Sequence, residues 1–199
     1  MATRLPTEER QTEIIAAALH LAREISPGLI TTTDLAAAIG VTQGALFKHF
    51  ATKDDIWLAA MAWVREQLSS ALEAAADAPD SPLEGLGAVF KAHIGFVLSH
   101  PGVPRLIFHE LQRPADSPIK QELRKLLKGY RHLLRRQLDA ALARGEVSRE
   151  VDLDAAATAF VGVVQGLVMQ SMVAGNAAAM KTQADAVFAI YRRGICEAP

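Results

Sequence analysis

Cysteine is almost missing from this 199-residue chain: Cys196 stands alone, so no disulfide can form within the chain, and a reducing cytoplasm fits. Charge of either sign is equally scarce in excess, with 21 Lys and Arg against 22 Asp and Glu. That balance excludes a generally basic nucleic-acid coat, so any DNA contact must be local. The N-terminal run MATRLPTEERQTE has acidic residues and no apolar stretch, so no secretory signal is expected there. Longer apolar runs meet a charge, a glycine or a polar residue too early for a membrane span, and no membrane partner is expected. The histidines (His20, His49, His93, His100, His109 and His132) form no HxxxH or HExxH pair, so neither metal nor cofactor is expected. No glycine-rich phosphate loop and no GxSxG is present, and no carboxylates are paired at a spacing that would share a helix face inside a pocket. Adjacent His109 and Glu110 read as ordinary surface and boundary residues. An all-helical enzyme using His93 or His109 as a base is the catalytic alternative.

What is present in abundance is alanine, leucine and glutamate, with no sustained alternation of apolar and polar residues. Helix starts are clear. Ser81-Pro82-Leu83-Glu84 offers an N-cap, a proline at the first helical position and a glutamate to close a capping box. Ser117-Pro118 repeats the start, Thr31-x-x-Asp34 and Thr52-x-x-Asp55 are further boxes, and Asp152 caps a later helix. Gly145 and Gly175-Asn176 are stops. These signals predict helices near 7–25, 32–39, 43–49, 53–77, 82–99, 103–112, 117–144, 152–174 and 178–195. The fold class is all-α: an N-terminal three-helix helix-turn-helix domain, 1–52, plus a C-terminal helical bundle, 53–199.

The stretch TDLAAAIGVTQGALFKHF, Thr33 to Phe50, has the parts of a helix-turn-helix. Ala36 is small enough for close helix crossing, Gly40 takes the turn, and Leu35, Ile39, Val41 and Leu46 supply buried contacts. Thr42 caps the second helix and leaves N–H groups for a phosphate. Ile14, Ile15, Ala18, Leu19 and Ala22 recur at helical spacing and complete a small core. An ordinary helical hairpin uses the same alanine and glycine, so a ligand-binding or scaffold protein that does not bind DNA is the alternative.

The run TTTDLAAAIGVTQGALFKHFATKDDI resembles the N-terminal domain of the tetracycline-repressor (TetR) family of bacterial transcription regulators. The resemblance is carried by Thr31, Leu35-Ala36, Gly40-Val41-Thr42, Gly44, Leu46, the aromatic Phe47, His49-Phe50 and Lys53, about a quarter of the chain. It implies that Gln43 to His49 enter the major groove of double-stranded operator DNA. By the same resemblance Thr32 and Thr33 touch backbone or a base edge, while Thr42, Lys48, His49 and Lys53 hold phosphates. Gln43 faces bases and could pair bidentately with adenine; Gly44 and Ala45 offer only close approach or a methyl contact. The family most often has tyrosine where Phe47 stands, so Phe47 is expected to keep the packing without a phosphate bond. Residues 1–53 hold Arg4, Arg10, Arg23, Lys48 and Lys53 against Glu8, Glu9, Glu13, Glu24 and Asp34. A neutral head of this kind needs doubling by a symmetric dimer.

Two C-terminal features remain. Ile119 to Leu138 carries seven Lys/Arg beside an apolar stripe of Leu123, Leu126, Leu127, Tyr130, Leu133 or Leu134, and Leu138. It reads as the solvated face of a bundle helix, with a membrane-surface or nucleic-acid helix as the alternative. The segment AAATAFVGVVQGLVMQSMVAG is apolar around nearly its whole circumference. The family resemblance implies that the last two helices form the seam of a homodimer; the candidates are Phe160, Gly162, Val163, Gly166, Leu167, Phe188 and Tyr191. It also implies a pocket for a small-molecule effector whose occupation alters the spacing of two reading heads. Candidate lining residues are Phe90, His93, Ile94, Phe96, Val97, Phe108, Gln165, Met169 and Met172, which suit an apolar or aromatic ligand. The function so implied is a ligand-responsive regulator, usually a repressor, acting without catalysis.

Overall fold

Side-chain caps decide where most helices begin. Thr31 and Asp34 close a reciprocal box (Thr31 N–H to Asp34 Oδ2 2.8 Å, Asp34 N–H to Thr31 Oγ1 3.1 Å), and Thr52 and Asp55 close another at 2.9 and 3.1 Å. Asp152 Oδ1 accepts from the N–H groups of Asp154 and Ala155, and Asn176 Oδ1 from that of Ala179. The computed structural model describes residues 6–196. Among them are nine helices and no strand: α1 Thr7–Leu21, α2 Thr32–Ala38, α3 Gln43–Leu46, α4 Lys53–Asp77, α5 Pro82–Ser99, α6 Gly102–Leu111, α7 Pro118–Ala143, α8 Leu153–Ala174 and α9 Ala177–Ile195. Three glycines sit at positive φ where the chain must turn: Gly40 at 68°, Gly145 at 70° and Gly175 at 62°.

Two helices are shorter than the sequence pattern predicts. α1 stops at Leu21, and Arg23 and Glu24 bond back three residues, tightening the chain ahead of Pro27. α3 has four residues. Beyond it the N–H groups of Lys48 and His49 again reach back three residues, to Ala45 and Leu46. The expected box at Ser81 is half formed. Ser81 Oγ accepts from the Glu84 N–H at 3.2 Å, but the second carboxylate is Glu146, which takes the Ser81 hydroxyl at 2.9 Å and the Leu83 N–H at 3.0 Å.

The chain divides into two compact units. One comprises the chain up to Glu66 together with His100–Lys125; the other comprises Gln67–Ser99 and the chain from Leu126 on. The division falls inside α4 and α7. In the first unit Ile14, Ala18, Leu35, Leu46, Ile56 and Leu106 are fully buried. α6 begins so close to α1 that a Cβ on Gly102 would lie 2.0 Å from the carbonyl oxygen of Leu19. Glu110 is buried rather than at the surface: its carboxylate accepts the Ser117 hydroxyl and pairs with Arg113, so the end of α6 holds the start of α7.

In the second unit α5 crosses α4 at Gly85, where a Cβ would lie 2.7 Å from the Ala76 carbonyl oxygen; Gln137 donates to that oxygen at 3.3 Å. The cations of α7 are largely taken up locally. Arg124 pairs with Asp116, Lys125 with Glu122, Arg135 with Asp139 and Asp154, and Arg136 with Glu73 and Asp77. Leu123, Leu126, Tyr130, Leu133, Leu134 and Leu138 are buried. α7 is therefore a bundle helix with a neutralised outer face. One point corrects the sequence reading: α8 is long and apolar enough, by length and composition, to cross a membrane. A single such helix is weak evidence for a span, and α8 buries Phe160, Val164 and Leu167 inside its own unit.

Candidate functional site

The turn at Gly40 is closed by the Val41 N–H on the Ala36 carbonyl at 3.0 Å, and Leu35, Ala36 and Leu46 lie in the core. Ile39 and Val41 are half-buried. Thr42 Oγ1 accepts from the Ala45 N–H at 3.2 Å, capping α3. In helical geometry the first-turn N–H groups of Gln43 and Gly44 have no intrahelical acceptor and face outward from the helix start.

On this frame Thr33, Thr42, Gln43, Gly44 and Lys48 are exposed, and Thr32, Ala45 and His49 are half-buried. A Cβ on Gly44 would meet nothing within 4 Å, so α3 presents a flat, open first turn. Gln43 is not alone: its Nε2 donates to Thr32 Oγ1, joining the tops of α2 and α3. His49 is pinned from behind, with its carbonyl oxygen accepting from Gln11 Nε2 at 3.1 Å. His49 Nδ1 is buried with no hydrogen-bond partner among the described residues. The Asp34 carboxyl is held below the usual carboxylate range by the Thr31 hydroxyl and N–H, so the cap at the start of α2 stays ionised.

Two placements differ from expectation. Phe47 packs only in part: it is 43% exposed, whereas the adjacent Leu46 is buried. Lys53 does not extend freely from the start of α4: its ammonium donates to the carbonyl oxygens of Gly28 (3.2 Å) and Ile30 (3.0 Å), tying down the loop between α1 and α2. Gly28 is flanked on its other side by His109, whose Cε1 would lie 2.8 Å from an added Cβ. The sequence marks neither the Gln11 contact nor the place of His109 beside Gly28, because each meets a partner many residues away with no local spacing to signal it.

In the second unit six rings lie together. Phe90 packs against Phe160 and Phe188, and Phe160 against Tyr130 and Tyr191, with ring centroids 5.3–6.2 Å apart. His93 stands against Tyr130, Nδ1 to Oη 3.1 Å, and burial pushes its imidazole down to about 4. Burial raises both Tyr130 and Tyr191, and the Tyr191 hydroxyl donates to the Ala156 carbonyl oxygen. Phe90, Ile94 and Val97 are buried beside them in α5; Phe96 and Met172 are half-buried. Phe108 belongs to the first unit.

α8 sorts the remaining candidates differently from expectation. Phe160 and Leu167, together with Tyr191 of α9, are buried within their own unit, and the half-buried Phe188 lies on Gly87, Phe90 and Phe160. They are interior residues. Gln165 and Met169, expected inside a pocket, are exposed with Gly162, while Val163 and Gly166 are half-buried. Neither Gly162 nor Gly166 has any atom within 4 Å of an added Cβ.

An all-helical chain whose capped α2 and α3 meet at a glycine turn, presenting an open first turn, has the form of a DNA-binding regulator with a helical body. Comparison with known proteins agrees. Residues 14–60 match the family described as bacterial regulatory proteins, tetR family, and residues 113–187 match the tetracyclin repressor-like C-terminal domain. The chain belongs to the TetR family of transcriptional regulators. Among relatives, the nucleoid occlusion factor SlmA of Vibrio vulnificus (strain YJ016) is 25% identical over 158 residues, 79% of this chain and 81% of that protein. The same factor in Haemophilus ducreyi is 27% identical over 61% of each chain. Among solved structures, the regulator FadR of Bacillus subtilis, in complex with stearoyl-CoA, superposes with a TM-score of 0.80 at 20% identity, over 92% of this chain and 98% of that one. The ketosteroid regulator KstR2 of Mycobacterium tuberculosis gives 0.78 at 22%, over 95% and 96%. At those identities the structural likenesses establish the fold.

Proposed function

We infer that the protein is a cytoplasmic homodimeric repressor that leaves a palindromic operator when a small apolar or aromatic effector binds. In this reading residues 1–52 read double-stranded DNA, and residues 53–199 carry the effector and dimer functions. The observation that carries it is the uncovered apolar face of the last two helices: Met169 is 45% exposed, Val173 83% and Ile190 63%, beside the open glycines of α8. An apolar face of that breadth needs a partner, and a second copy supplies one through a twofold, self-complementary contact. Two heads then act together, which offsets the neutral charge of each. Gly162, Val163, Gly166, Met169 and Ile190 are the contact residues in this reading.

The effector belongs among the rings of the second unit, with Phe90, Ile94 and Val97 as apolar walls and His93 as the polar contact. The stearoyl-CoA held by the FadR structure and the ketosteroid role named for KstR2 support a largely apolar effector class. An effector releases DNA only to the extent that it binds the DNA-incompetent arrangement more tightly. Selection of bound fragments from the source genome, repeated with a panel of acyl thioesters and steroids, tests this reading. Enrichment of one palindromic site, lost on adding one ligand class, is expected. A protein sedimenting as a monomer at micromolar concentration, or selecting no sequence, overturns it.

A further inference from the structure

Gln43 and Thr32 stand on different helices, eleven residues apart, and are joined by a hydrogen bond of 2.5 Å from Gln43 Nε2 to Thr32 Oγ1. Thr32 is spared the work of capping, because Thr31 and Asp34 close the box at the start of α2. A threonine hydroxyl has one proton to give and lone pairs to accept with. A phosphate oxygen accepts only. Where Thr32 donates its proton to the DNA backbone, its oxygen is left solely as an acceptor, and the Gln43 group facing it must be the amide nitrogen. Gln43 Oε1 is then the atom that faces away from Thr32.

We propose that Thr32 is a positioning residue that sets the polarity of the Gln43 carboxamide, so that α3 reads an exocyclic amino group in the major groove. This rests on the reading that α3 faces the groove. Adenine N6 and cytosine N4 are the donors that fit an outward oxygen; guanine O6 and thymine O4 repel it. Adenine is favoured over cytosine because its N7 takes the second N–H of Gln43. The most informative comparison is adenine against guanine, which share N7 and differ in the amino or keto group beside it. A carboxamide freed from Thr32 turns over and accepts either purine.

The test uses the full chain and a library of duplexes randomised across each half-site, with wild type, T32S, T32V and Q43A. The position at which Q43A relaxes the preference is the one Gln43 reads. There the wild type is expected to favour adenine over guanine by about tenfold, and T32V by no more than about twofold. T32S, which keeps the hydroxyl, restores the wild-type ratio. T32A replaces T32V if the valine perturbs folding by circular dichroism. A wild type that selects guanine or thymine at that position overturns the proposal, as does undiminished adenine preference in T32V and T32A. If Q43A relaxes a position and T32V does not, α3 still reads DNA and only the role of Thr32 falls. If Q43A relaxes no position, the α3 reading falls with it.

Discussion

Acid should weaken the second unit through His93 before it touches any carboxylate. The imidazole has an ordinary value of 6.5 in the unfolded chain and about 4 in the folded one, where burial opposes its charge; its Nδ1 lies 3.1 Å from the Tyr130 hydroxyl. Between those values the unfolded state binds the proton that the folded state refuses, so stability rises with pH across the window. It is fully present above pH 6.5 and lost progressively as pH falls towards 4. The slope is about 1.4 kcal/mol per pH unit, which over the window amounts to a loss of about 3 kcal/mol. Carboxylates held low, Asp34 by its cap and Glu122 by Lys125 and Arg65, lose their contribution as pH falls from the ordinary carboxylate value downward, so between pH 5 and 6.5 the difference between wild type and a His93 variant reports this histidine. Urea unfolding followed by circular dichroism at half-unit steps measures the slope in wild type and in H93Q, whose amide oxygen accepts the Tyr130 hydroxyl in place of Nδ1. The difference between the two curves should grow by about 2 kcal/mol from pH 6.5 to 5. Parallel curves would show that His93 protonates as easily folded as unfolded, and that the ring is not desolvated.

Lys48 and Lys53 should separate in their effects. K48A removes an exposed cation with no ion-pair partner among the described residues; it should leave stability unchanged and flatten the salt dependence of operator binding by about 0.9 in slope per protomer. K53A removes the donor to Gly28 and Ile30 and should cost about 1 kcal/mol in urea unfolding. If K53A changes only the salt slope, Lys53 is a phosphate anchor and its carbonyl contacts are incidental. G102A places a methyl against the Leu19 backbone and should destabilise by about 3 kcal/mol; a change within error would mean that α6 and α1 are not in contact in solution. I190D introduces a charge on the open face of α9 and should shift sedimentation towards the monomer, leaving the monomer folded; a dimer of unchanged mass would place the interface elsewhere.

What was legible in the sequence is what lies within a few residues of its own cause. Thr31 with Asp34, Thr52 with Asp55, and Asp152 with the turn it caps are local bonds, and the helix starts follow from them. Gly40, Gly145 and Gly175 mark turns for the same reason. What was not legible depends on partners brought in from a distance. Glu146 completes the cap of α5 from more than sixty residues away, Gln11 reaches the His49 carbonyl, and Lys53 reaches the loop at Gly28. At the end of α3 Leu46, not Phe47, finds the core, and neighbouring apolar residues in sequence carry no sign of which will do so.

In α8 the helical period separates inward from outward residues where composition does not. Its composition is apolar on all sides, so hydrophobicity alone gives no inward direction, and interior and outward residues were grouped together. Helical geometry separates them. At about 100° per residue, Gly162, Gly166, Met169 and Val173 lie roughly 180–240° around the axis from Phe160, whereas Val164 and Leu167 lie within roughly 40° of it. The structure agrees with that geometry: Phe160, Val164 and Leu167 are buried, and a Cβ added to either glycine would meet nothing within 4 Å. Glycine gains nothing by facing water in mid-helix, where it costs about 1 kcal/mol relative to alanine. Two of them four residues apart, opposite a buried aromatic, lie on the side where the proposed second subunit approaches. In the proposed dimer the inner face of α8 stays with its own unit and the outer one meets the second subunit.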